Sequence, residues 1–138
     1  MTRDLHEKIG SVSVENLFAG LEPHALTKAG VIRKLGTAGT LKRGTLLAKS
    51  SGSGGDGKLV IFGTSAGSNE TLTADCVLAN DIDVGTANDE NALVYISGNF
   101  NEDALILASG ASLAEADQDA LRIRGIILGA SQTESVTV

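Results

Sequence analysis

A mainly β fold with small helical elements, α+β in class, follows from three features of the sequence. From Val31 onward, short apolar runs are separated by Gly, Thr, Ser and Asn, the texture of strands joined by tight connections. Helical spacing is confined to the second half of the chain. The 138 residues suit one domain, and its apolar residues, 42% of the total, include only 3% aromatics and no Trp, so the core must be built from Leu, Ile, Val and Ala.

The first thirty residues alternate weakly and contain Gly10, Gly20, Pro23 and Gly30. Within them Ser11-Val12-Ser13-Val14 has the period of an edge strand, but the segment carries too little apolar surface to offset the entropy of ordering. Residues 1–30 are therefore expected to form an arm, mobile until bound, ahead of a single β-rich domain at 31–138. Strands are expected near 30–34, 44–49, 57–62, 74–79, 92–97 and 126–129. The Gly- and Ser-rich run at 50–57 is a flexible loop between two of them, and a hairpin with a long tip is the simplest topology.

A short turn is expected after Asn101, through Glu102-Asp103-Ala104-Leu105. A helix follows, because Ser112-Leu113-Ala114-Glu115 has capping-box spacing and Leu113, Ala116, Ala120 and Leu121 share one face. Arg122 and Arg124 suit its negative end, and Gly125 can close it.

Charge narrows the function. A net charge of -6 opposes nucleic-acid binding, which needs clustered Lys and Arg. The basic cluster Arg33-Lys34 with Lys42-Arg43 reads as solvated charge flanking strands. Cys76 is a lone cysteine in an apolar run, so it reads as a small buried side chain. The start of the chain has no apolar signal stretch, and no long uncharged segment occurs, so a soluble product of the cytosol with no membrane partner is expected.

The motifs that resemble catalytic ones fail on context. Gly52 to Lys58 matches the start of a phosphate loop, but Leu59 stands where Ser or Thr must hold magnesium, and a strand pattern follows where a helix is required. Gly63-Thr64-Ser65-Ala66-Gly67 fits a nucleophile elbow, yet both histidines, His6 and His24, precede it. Asn80-Asp81-Ile82-Asp83-Val84-Gly85 and Asn88-Asp89-Glu90 do not meet calcium-loop spacing. His6 and His24 have no third ligand for zinc. Asn69-Glu70-Thr71 is a glycosylation sequon without use in an unsecreted protein. No enzyme activity, cofactor or metal is expected.

Several blocks, in order, carry a resemblance: Asn16-Leu17-Phe18-Ala19-Gly20, Leu41-Lys42-Arg43-Gly44-Thr45-Leu46-Leu47-Ala48, Gly57-Lys58-Leu59-Val60-Ile61, Asp75-Cys76-Val77-Leu78-Ala79-Asn80-Asp81, Val94-Tyr95-Ile96-Ser97-Gly98-Asn99-Phe100-Asn101 and Leu121-Arg122-Ile123-Arg124-Gly125-Ile126. Together they resemble the head decoration proteins of tailed bacteriophages, the lambda-type protein D family. The resemblance implies a compact β-rich fold with an extended N-terminal arm. It also implies a homotrimer on the outer surface of the expanded capsid, made in the host cytoplasm and cementing the virion by contact with the major capsid protein.

On that reading Val12 and Val14, with Leu17 and Phe18 as apolar anchors, would lay the arm along a sheet edge of the capsid protein. Sites spaced correctly only after expansion would reject the precursor shell. The alternative is a phage fibre or a receptor-binding β module for carbohydrate. It is poorly served by Tyr95, Phe18, Phe62 and Phe100 as the only rings.

Overall fold

The structure, a computed structural model, describes residues 17–129. The expected strand around Val12 and Val14 lies outside the described residues. Nine strands appear in chain order: β1 (Phe18–Gly20), β2 (Leu26–Ile32), β3 (Gly39–Leu41), β4 (Leu46–Ser51), β5 (Leu59–Ile61), β6 (Thr71–Leu78), β7 (Ile82–Val84), β8 (Glu90–Asn101) and β9 (Ile126–Gly129). A 3-10 turn occupies Glu102–Ala104, and one helix, α1, spans Glu115–Arg124.

Each of the six expected strands has its counterpart, in β2, β4, β5, β6, β8 and β9. The three-residue strands β1, β3 and β7 are additions, too short to register as an alternating pattern.

Pairing runs β2–β5–β4–β6–β8 and returns from β8 to β2, which closes a five-stranded barrel. Closure removes most of the free edge that an open sheet of this size would present. The seam is weakest between β2 and β5, which pair only at Ile32↔Leu59. The expected hairpin at 44–62 is β4–β5, antiparallel with Leu47 opposite Ile61. A separate ribbon pairs β3 with β7.

The 12-residue strand β8 belongs to two neighbourhoods. Its first part pairs with β2, and its end lies between β1, antiparallel, and β9, parallel. Gly98 stands where the partners change: its φ of 148° disfavours other residues, and a Cβ there would lie 2.9 Å from the Phe100 ring.

The core is aliphatic, as the composition requires. Leu46, Leu47, Val77, Leu78, Leu121 and Ile126 are fully buried, and each such side chain contributes about 1.5–3 kcal/mol. Cys76 is one of the core side chains, and burial pushes its thiol well above the usual range.

Helix α1 contributes Leu121 to this core. It starts two residues later than the Ser112 spacing suggests: Ala114 is the cap residue, and its N–H donates to the Asp117 carboxylate at 3.0 Å. The other end is as expected, with Arg122 and Arg124 in the last turn and Gly125 closing at φ 103°.

Candidate functional site

Strand pairing begins at Phe18, within the segment expected to be an arm. Leu17, 5% exposed, packs in the core, and its carbonyl accepts from the Asn101 N–H at 2.7 Å. Phe18 pairs with Phe100 across the β1–β8 ladder and stacks on its ring, centroids 4.9 Å apart. Tyr95 meets Phe18 edge-on at 5.2 Å. Three of the chain's four aromatic rings thus converge at β1, next to Leu17.

Arg43 covers this cluster. Its guanidinium lies 5.9 Å from the Phe18 ring centre and 5.7 Å from that of Tyr95, within cation–π range, and Nη2 donates to the Tyr95 hydroxyl at 3.0 Å. The main chain fits closely here: a Cβ on Gly20 would sit 2.8 Å from the Asn99 amide nitrogen.

Beside the cluster lies a groove of about 360 Å³ lined by Phe18, Gly20, Leu21, Pro23, His24 and Ala25. Leu21, at its rim, is 86% exposed. The groove is apolar, and its titratable side chain, His24, is exposed with Glu22 3.9 Å away. A surface of this kind can accept apolar groups; among the described residues that line it, no nucleophile stands beside a base.

A second polar centre ties the far side of the barrel. The Arg33 guanidinium donates to both Asp56 oxygens at 2.8 and 2.9 Å and pairs with Glu70. Glu70 also accepts from the Gly67 N–H, at 2.8 Å, and from the Ser50 hydroxyl. Arg33 holds the Asp56 carboxyl down at about 2. The Gly67 N–H, then Ser50 and Arg33, hold Glu70 at about 2.

Other carboxylates and motif residues are held in separate places. Lys58, the end of the phosphate-loop match, pairs with Asp89 at 2.5 Å and leads into a strand. Asp89 also accepts from the Lys34 N–H, Asp81 from the Arg43 N–H, and Asp83 from the Thr40 hydroxyl. Ser65 sits on an exposed turn that continues into β6, not into a helix.

Comparison with known families agrees with this architecture. A model of the bacteriophage lambda head decoration protein D family matches residues 8–126. The chain belongs to this family. Membership makes it a structural, capsid-decorating protein associated with the phage virion. Comparison with curated proteins gave no match.

Of the residues singled out from sequence, the structure brings Leu17 and Phe18 together with the core, while Val12 and Val14 lie outside the described residues. Sequence reasoning missed Arg43, Tyr95 and Phe100 as partners of Phe18. The signal available was scarcity: in a chain with four rings, each is a candidate for one cluster. Separations such as that between Phe18 and Tyr95 hide the convergence until the strands are paired.

Proposed function

We propose that this head decoration protein binds the outer surface of the expanded capsid as a trimer and stabilises it by strand addition of its N-terminal segment to the major capsid protein. Val12 and Val14 form the added strand, and Leu17 and Phe18 act as apolar anchors at its base. The observation that carries the reading is the fixed root: residue 17 is buried and Phe18 is laddered to β8 beside an apolar groove, so Leu17 and Phe18 stand where a strand-forming segment would be anchored. Backbone hydrogen bonds supply affinity largely independent of side chain.

Ordering such a segment costs about 2–5 kcal/mol, so a single arm binds weakly. Three arms on one trimer raise each other's effective concentration, a gain of about a hundredfold where geometry permits simultaneous engagement. Arm sites spaced for all three only after shell expansion select the mature head without a chemical switch.

Proline at Val12 and Val14 tests the mechanism, because it removes two backbone donors outside the described domain. The double variant should keep its native mass and fold by circular dichroism but lose co-sedimentation with expanded heads. Wild-type binding by that variant overturns the strand-addition model.

A further inference from the structure

The loose seam of the barrel opens a charged cleft. Because β2 leaves β5 after one residue pair, the stretch from Leu26 to Val31 has no strand partner on that side among the described residues. Two adjoining hollows, of about 130 and 290 Å³, share Lys28, Lys49, Asp75 and Ile96 as lining. Leu59, Cys76 and Val94 line the smaller one, and Arg124 lines the larger.

Three cations therefore surround one carboxylate, and Arg124 already bonds Asp75 at 2.9 Å. Lys28 and Lys49 form no ion pair among the described residues, whereas Arg33, Lys42 and Lys58 all do. Two uncompensated ammonium groups beside an apolar cleft are unusual in a chain of net charge -6. The lining includes exposed apolar surface as well: Val31, at the smaller hollow, is 40% exposed.

The opposite end of α1 carries the complementary pattern. Glu102 and Asp103 of the 3-10 turn and Glu115 of the first helical turn are exposed and form no ion pair among the described residues. Gln118 Nε2 reaches Glu102 at 3.5 Å, which shows that the two elements are adjacent. Ile106, 42% exposed, follows the turn closely in sequence. Arg124 and Glu115 are nine residues apart on one helix, so the two ends are separated by about 14 Å of rigid structure.

On the reading that the chain works as a trimer, we propose that the seam cleft bearing Lys28 and Lys49 receives the acidic end of α1, Glu102, Asp103 and Glu115, from a second copy of this chain. One molecule cannot satisfy both ends itself, because α1 holds them apart. The two surfaces differ, so the contact is heterologous, and repeating it around a threefold axis closes a ring in which every cleft is filled. Charge sets the register of the contact, and the exposed apolar side chains at both ends supply burial.

Charge reversal on the full-length protein tests this, read by sedimentation equilibrium over a range of concentration and salt. Lys28→Glu with Lys49→Glu should weaken self-association about tenfold or more, and so should Glu102→Lys with Asp103→Lys. Combining all four in one chain should restore association, since the swapped ends are again complementary. Unchanged association in both double variants, or failure of the fourfold variant to recover, overturns the pairing while leaving the trimer itself standing.

A wild-type protein that is monomeric when free moves the same test to expanded heads, where equal binding by both double variants, or no recovery in the fourfold variant, overturns the pairing. If Lys28→Glu with Lys49→Glu associates normally but no longer binds heads, the cleft faces the capsid protein and self-pairing is refuted.

Discussion

The two sides of this barrel are tied down by different physics. On one side, the Ser50–Gly57 tip is held by a charged knot: Arg33 gathers Asp56 and Glu70, and Ser50 and Gly67 complete the coordination of Glu70. On the other, the entry of the chain is held by packing, with Phe18 between Phe100 and Tyr95 under Arg43. Charge fastens a segment whose own residues are mostly exposed; aromatic contact fastens one whose first residue, Leu17, is buried in the core. Loop-like composition does not decide order when remote side chains supply the partners.

The largest expected effect falls on the packed side. Phe100→Ala removes a fully buried ring that both Phe18 and Tyr95 lean on, and should cost about 3–5 kcal/mol, seen as a lower urea midpoint. A loss under about 1 kcal/mol would mean that the aromatic root is not part of the cooperative core.

The knotted side responds to bulk in its backbone. A Cβ on Gly55 would stand 2.3 Å from the Ser51 carbonyl oxygen, so Gly55→Ala should destabilise by about 1–3 kcal/mol and speed amide exchange in the tip. A freely moving loop would absorb the methyl group without either change.

Acid separates the two sides more finely. Asp56 and Glu70 have folded values near 2, below their unfolded values of 3.8 and 4.5. Groups depressed on folding stabilise fully above the unfolded value and lose that contribution as pH falls through the folded one. Stability should therefore decline between about pH 5 and pH 2, and Arg33→Leu should flatten that decline, chiefly through Asp56, in urea titrations across this window. An unaltered slope would separate the guanidinium from the acid response.

The smallest effect is expected at the groove rim. Leu21 is 86% exposed, so Leu21→Ser should move stability by no more than about 0.5 kcal/mol in the same assay, while weakening head binding if the groove meets the capsid.

Much of the barrel was legible because its strands carry their own signals. The run Leu46-Leu47-Ala48 and the run Val77-Leu78 are apolar, bounded by turn residues, and fully buried or nearly so in the fold. Gly125 announced the end of α1 for the same local reason: its positive φ closes the helix. The tip at 50–57 was readable as a hairpin connection but not as an ordered one, because its order comes from Arg33 and Glu70 and from backbone bonds such as that between the Gly54 N–H and the Asn69 carbonyl, at 2.8 Å.

The candidate site was readable only in part. Leu17 and Phe18 stand out as an apolar pair, but nothing near them in sequence reveals that their partners are Asn101 and Phe100. The weak β2–β5 seam was equally invisible, since it is a property of how two strands diverge and not of either strand alone.

One strand connects these places. β8 pairs with β2 in the barrel wall, changes partners around Gly98, and ends between β1 and β9. Tension applied through residue 17 therefore passes across the Phe18–Phe100 rung into a beam that runs the length of the wall, so a tug on the leading end is spread over the whole body instead of peeling one corner loose.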